Sequence, residues 1–298
     1  MCGIIGLHLK NPDLQPRLGE LLTQMLEAMT TRGPDSAGIA VYSEPELAGE
    51  VRYSLRSEVP PDWELLGKRL AAETASEVRV RPLGPDLAVL SSPADEALLL
   101  EAVRLAAPQV SVTGWGQAMV LVKDVGAPAD ICARYGIPGW GGYQGVGHTR
   151  MATESAVTTA HSHPFAPAAD LALVHNGSFS NYATVRRRLA RAGVSCDTDN
   201  DSEVAARLIA SRMAAGDGLE DALKTVFKEM DGFFTLLVTT RTQFAVVRDS
   251  FACKPAVIAE TSDYVAMASE YHALAGLPGI TSAEVFEPMP EEIHLWSR

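Results

Sequence analysis

Met1-Cys2-Gly3-Ile4-Ile5-Gly6-Leu7-His8-Leu9 opens the chain, and its reading decides the fold. Cys2 is small enough at the second position to favour removal of Met1, which would leave its α-amine free beside its own sulfur. A free thiol titrates near about 8.5 and an α-amine near about 8. The amine, directly or through one water, can therefore act as the base that activates the thiol. The competing reading is a small residue opening a buried strand, because a free Cys packs as a small hydrophobe. Residues 2–9 read as a buried strand in either case, and the rest of the chain decides between the two.

Outward from this strand, Leu18, Leu21, Leu22, Met25, Leu26 and Met29 recur at helical spacing, which predicts a helix over 18–29. A turn-rich segment follows, Arg32-Gly33-Pro34-Asp35-Ser36-Ala37-Gly38, and then a strand over 39–42. Residues 44–142 differ in texture. Strands are expected at 51–55, 78–81, 87–90 and 110–113, and helices at 62–75 and 94–106. That order is β-α-β-β-α-β, the split βαβ arrangement. The segment carries no catalytic signature and reads as an α/β insertion that docks or shields. Beyond Val146, helices are expected at 182–192, 203–214 and 219–230. The first has a basic exposed face of Arg186, Arg187, Arg188 and Arg191. Strands at 233–239 and 243–248 pair around Arg241-Thr242, and 256–259 and 264–269 form another pair.

At 298 residues, with 47% hydrophobic and 21% charged residues, the chain can bury a full core. A net charge of −12 argues against a nucleic-acid partner. No apolar run approaches the roughly 20 residues that span a bilayer, and no signal peptide is evident. Cys2, Cys132, Cys196 and Cys253 lack metal or redox spacing, so a reduced, cytoplasmic protein is expected.

Four segments bear on one chemistry. Gly147-His148-Thr149-Arg150 ends in an arginine just after a strand, placed either to grip a carboxylate with its planar fork or to make a structural ion pair. His175-Asn176-Gly177 follows the apolar residues 171–174. Asn-Gly is the commonest hairpin signal. Its other reading is an oxyanion hole, where an Asn side-chain N–H and a Gly backbone N–H converge on one oxygen and losing one donor costs about 3 kcal/mol. Asp197-Thr198-Asp199-Asn200-Asp201-Ser202-Glu203 precedes a helix. A cap needs fewer acids than this, which frees a carboxylate for an α-ammonium. His161-Ser162-His163-Pro164 has no acidic or thiol partners nearby, so it reads as an ordered loop and no metal is expected.

Cys2-Gly3-Ile4-Ile5-Gly6, Arg32-Gly33-Pro34-Asp35-Ser36-Ala37-Gly38, His148-Thr149-Arg150, His175-Asn176-Gly177 and Asp201-Ser202-Glu203 stand in the order found in class II glutamine amidotransferases. Arg248-Asp249 with Pro255, and Ala268-Ser269-Glu270, also resemble segments of that family. The resemblance covers nearly all of residues 1–298 outside the insertion. One departure is Arg150-Met151-Ala152-Thr153-Glu154-Ser155, where the family often has Arg-Trp-Ala-Thr-His-Gly.

The resemblance implies an α+β fold, the four-layer αββα sandwich of N-terminal-nucleophile hydrolases. It implies that Cys2 attacks the side-chain amide of L-glutamine, that Asn176 and the Gly177 N–H stabilise the oxyanion, that Arg150 holds the substrate carboxylate and Asp201 its ammonium, that Thr153 lines the pocket, and that Arg32 sits in a loop closing near the nucleophile. No cofactor is implied. No acceptor-site motif accompanies these residues, so ammonia is expected to pass to a separate synthase subunit. The stand-alone size resembles the amidotransferase subunit of N-methylglutamate synthase and of split glutamate-synthase-like systems, whose partner chains are flavin-binding and glutamate-synthase-like. Two other readings are a glutamine-sensing or scaffold subunit without catalysis, and an N-terminal-nucleophile amidohydrolase for another small amide.

Overall fold

Apolar residues alternate along Gly3–Leu9. Ile5, Leu7 and Leu9 enter one core and Ile4 another, so this strand must be covered on both faces. The computed structural model describes residues 2–151 and 157–298. Thr153 lies outside the described residues. In chain order the elements are β1 (Gly3–Leu9), α1 (Leu18–Ala28), β2 (Ser36–Tyr42), β3 (Val51–Ser57), α2 (Trp63–Thr74), β4 (Arg79–Pro82), β5 (Leu87–Ser92) and α3 (Glu96–Ala106). There follow β6 (Val110–Gly116), β7 (Met119–Val125), α4 (Pro128–Arg134), β8 (Gln144–Arg150), β9 (Phe165–Ala168), β10 (Leu171–Phe179), α5 (Tyr182–Arg191), α6 (Asp201–Ala214) and α7 (Leu219–Glu229). The chain closes with β11 (Gly232–Thr239), β12 (Gln243–Arg248), β13 (Val257–Glu260), β14 (Tyr264–Ala268), β15 (Glu284–Phe286) and β16 (Ile293–Ser297).

A seven-stranded sheet, ordered β15-β13-β14-β1-β8-β2-β7, faces a five-stranded one, ordered β16-β12-β11-β10-β9. Between them lie Ile4, Val146, Val174, Leu237, Phe244 and Met267. On the outer face of the larger sheet, α1 packs Leu18, Leu22, Met25 and Leu26 against Ile5, Leu7 and Ile39. Helices α5, α6 and α7 cover the smaller sheet, with Val185, Ile209 and Leu223 meeting Phe234, Leu236 and Val247. Helix, sheet, sheet, helix is the four-layer αββα sandwich that the resemblance implied.

A third sheet, ordered β4-β5-β3-β6, packs on α2 and α3 through Tyr53, Leu55, Leu70, Leu90, Leu99 and Val103. Its elements run β-α-β-β-α-β. Each helix starts on an aspartate: Asp62 accepts from the Leu65 N–H at 2.9 Å and Asp95 from the Leu98 N–H at 3.0 Å. Residues 119–142 return to the main sandwich. There β7 pairs with β2 from Ser36↔Val125 to Tyr42↔Met119, and Ile131 and Cys132 of α4 join the core under α1. Strand β7 carries Lys123 inside an apolar run, a break in pattern that hid it from sequence reading.

Asn176-Gly177 is not a turn. Strand β10 runs unbroken through both residues, which pair with Thr235 and Phe234 of β11.

Candidate active site

Register brings the first components together. Gly3 pairs with Thr149 on one side of β8, and Ser36 pairs with Arg150 on the other. Cys2, Arg150 and the turn before β2 therefore share one end of the large sheet. A Cβ on Gly33 would lie 2.5 Å from the Arg150 nitrogen, so only glycine lets this turn close on β8. Buried Arg32 donates from Nε to the Cys2 carbonyl at 2.9 Å and from Nη1 to Glu270 Oε1 at 2.6 Å. The bond from Arg32 holds the Glu270 carboxyl below the usual carboxylate range, against the effect of burial. Ile4 N–H donates to Ser269 Oγ at 3.0 Å, and Ser269 N–H returns a bond to the Ile4 carbonyl at 2.9 Å. Residues 269–270 thus tie down the start of β1, next to Cys2. Cys2 is half-buried and its thiol is free of any disulfide. Arg150 is 6% exposed at the end of β8.

The second sheet supplies Asn176 and Gly177. Asn176 is 2% exposed, and its Nδ2 has no hydrogen-bond partner among the described residues. A buried donor left unpaired costs about 1–3 kcal/mol, a cost that native folds mostly avoid. Gly177 has φ 155°, and a Cβ there would lie 2.1 Å from the Phe233 carbonyl oxygen, which as backbone cannot move aside.

The acidic run before α6 folds largely onto its own surroundings. Asn200 is the N-cap and accepts from Ser202 N–H at 2.8 Å. Asp197 pairs with Arg207 and Asp199 with His161, each at 2.7 Å. Buried Glu203 accepts from the N–H groups of Asp197 and Thr198 at 2.8 and 2.7 Å. Burial would raise its carboxyl, but the bonds from Thr198 and Asp197 outweigh it and hold the group low. Asp201 is the acid tied to β10: its Oδ2 accepts from Phe179 N–H at 2.8 Å, while Oδ1 accepts from Ser202 Oγ at 3.2 Å. Ser202 Oγ also lies 2.7 Å from His175 Nδ1.

His161 and His163, expected in one ordered loop, part company. His161 turns outward to Thr158 and Asp199. His163 turns inward and stacks on His148, ring centroids 4.0 Å apart. Burial pushes His148 down to about 3, His163 well below its ordinary value, and His175 below its own. Lys123, also buried, is pushed down to about 8 and donates to the Ser162 carbonyl at 2.8 Å. Lys123 was missed from the sequence; its one signal was a lone cation in an apolar run. No three His, Cys, Asp or Glu side chains among the described residues could hold a metal ion together.

These neutral histidines predict acid sensitivity. Their unfolded counterparts titrate near about 6.5, so below that pH the unfolded chain binds more protons than the folded one. The stability is complete above that pH and is lost as pH falls through it towards the depressed folded values. Each group adds a slope of up to about 1.4 kcal/mol per pH unit. The denaturant midpoint is expected to fall steeply between about pH 6.5 and 4; an unchanged midpoint across that range would show that the rings are not held neutral.

A cleft of about 460 Å³, lined by Ser178, Phe233, Phe251 and Glu291 among others, opens beyond Gly177 but touches none of Cys2, Arg150, Asn176 or Asp201. Half-buried Cys2 and the unpaired amide of Asn176 both lie outside it. No helix among the described residues is long and apolar enough to cross a membrane.

A family model described as a glutamine amidotransferase domain matches residues 148–276. The chain is 46% identical over 299 residues to a glutamine amidotransferase-like protein, GlxB, of Rhizobium meliloti, across 99% of this chain and 98% of that one. A 100-residue stretch is 41% identical to glutamine–fructose-6-phosphate aminotransferase of Mycobacterium bovis, covering 32% of this chain and 16% of that protein. Among solved structures, glutamine phosphoribosylpyrophosphate amidotransferase from B. subtilis superposes with a TM-score of 0.63 at 18% identity, over 100% of this chain and 49% of that one. The chain thus spans about half of that enzyme's length, and at this identity the likeness speaks to fold alone.

Proposed function

This chain belongs to the class II glutamine amidotransferase family, and from that premise we propose that it hydrolyses L-glutamine through a thioester on Cys2. With Met1 removed, the Cys2 α-amine takes the thiol proton, and Sγ attacks the side-chain amide carbon. The resulting oxyanion receives hydrogen bonds from Asn176 Nδ2 and the Gly177 N–H. As the C–N bond breaks, the α-ammonium returns its proton and ammonia leaves. Water then adds to the thioester, the C–S bond breaks, and glutamate departs with the thiol restored. The observation that carries this reading is the buried, unpartnered Nδ2 of Asn176.

Arg150 takes the glutamine carboxylate with its planar fork, and Asp201 the ammonium. Arg32 acts on the nucleophile instead: its donors to the Cys2 carbonyl and Glu270 orient the residue that attacks. Arg150→Ala should raise the glutamine KM about tenfold or more, with a smaller change in kcat, since a hydrogen-bonded charged pair contributes about 1.5–3 kcal/mol. An unaltered KM in steady-state assays would remove Arg150 from the substrate's carboxylate.

Ammonia passes to a separate synthase subunit, flavin-binding and glutamate-synthase-like, of the N-methylglutamate-synthase kind. The motifs in support all serve glutamine, and none serves an acceptor. The test is product balance on the Met1-less chain, alone and with such a synthase chain. Glutamate and ammonia are expected in equal amounts from the chain alone, with free ammonia falling when synthase and acceptor are added. Absence of glutamate release under both conditions contradicts the proposal.

A further inference from the structure

Buried His148, His163 and His175 lie close together, His148 on β8, His163 just before β9 and His175 on β10 itself, and the thioester chemistry uses none of them. His148 sits on β8, in register with Ile4 of β1 and Gly38 of β2, two residues before Arg150. It is fully buried, and its Nε2 lies 3.0 Å from the His175 carbonyl oxygen on β10, in the opposite sheet. His175 immediately precedes Asn176. We propose that His148 is a positioning residue whose Nε2–H, donated to the His175 carbonyl, sets Asn176 and Gly177 at a fixed distance from Cys2. The inference rests on the glutaminase reading above.

A carbonyl can only accept, so Nε2 must carry the proton and Nδ1 is left bare; Nδ1 has no partner among the described residues. The ring is held in this orientation from its face. His163 stacks on it at 4.0 Å and 21°, and Phe165 meets the far ring edge-on at 4.9 Å. The His163 backbone is fixed in turn by Lys123, whose Nζ donates to the carbonyls of Ser162 and Pro164 on either side, at 2.8 and 3.4 Å. Neighbouring inter-sheet contacts, such as Ile4 and Val174, are apolar and non-directional. A directional bond here fixes relative height in a way that dispersion cannot. Burial keeps the ring uncharged, so the link needs no counter-ion.

The test compares H148M, which fills the space without a donor, with H148Q, which keeps an N–H at similar reach. H148M should lower kcat by about tenfold to 100-fold with KM changed less than about threefold, the scale expected when a reacting group is misplaced by about 1 Å. H148Q should recover most of kcat. A wild-type kcat in H148M overturns the proposal, and so does an equal loss in both variants, since packing would then account for it. The wild-type protein gives a second readout that needs no variant to fold. In ¹⁵N-histidine-labelled protein, His148 should show the Nε2–H tautomer; an Nδ1–H tautomer overturns the proposal. A wild-type chain without glutamine turnover would instead fell the glutaminase reading, and the tautomer would still decide the cross-sheet bond.

Discussion

Cys2→Ala abolishes glutamine hydrolysis and leaves the fold intact: this is the largest effect expected of any single substitution. Without Sγ no thioester forms, and removal of a covalent nucleophile costs on the order of 10⁴-fold or more in turnover. Stability should barely change. Cys2 is only half-buried, and the contacts that place it run through its main chain, from Arg32 to its carbonyl and through Gly3 to Thr149. Ammonia-release rates and thermal unfolding of the two proteins check both halves. Turnover unchanged in the variant would sink the mechanism, whereas joint loss of turnover and fold would make Cys2 a structural residue.

Asn176→Ala ranks second. Removing one oxyanion donor costs about 10²–10³ in kcat, with little effect on KM, because the bond is made fully only in the transition state. The same substitution tests where the energy sits. In the free protein Nδ2 is buried without a partner, so deleting it relieves a cost of about 1–3 kcal/mol, offset in part by lost packing. Stability should hold or rise while catalysis collapses, the trade expected of a group kept for function. Lower stability with unchanged kcat would reverse that assignment. Steady-state kinetics and urea unfolding on one preparation decide it.

Much of the architecture was legible because local patterns agreed with the final packing. The spacing of Leu18, Leu22, Met25 and Leu26 specified α1, and the same residues meet Ile5 and Leu7. Gln243–Arg248 was read with the bounds it has. The Asn176-Gly177 pair could be read locally as a turn or as a pair of donors, and its backbone partners, which rule out the turn, come from β11, more than fifty residues on. A local rule does not see those partners. The break in pattern at Lys123 concealed β7 for a related reason: its Nζ finds carbonyls from a loop about forty residues away. The site shows the same division. Cys2, Arg150, Asn176 and Gly177 are proposed from motifs and their order along the chain, which sequence alone displays. That His163 packs on His148, or that Arg32 reaches the Cys2 carbonyl, depends on strand register and closure of the two sheets.

The central claim is that Cys2 is the nucleophile towards glutamine. Its most direct test is intact mass and peptide mapping of the purified chain after incubation with 6-diazo-5-oxo-L-norleucine, an electrophilic glutamine analogue. The account predicts one adduct, on a chain lacking Met1, mapped to Cys2 and suppressed by excess glutamine. No adduct on a chain with a free N-terminal Cys2, or an adduct at exposed Cys253 that glutamine does not suppress, would contradict it.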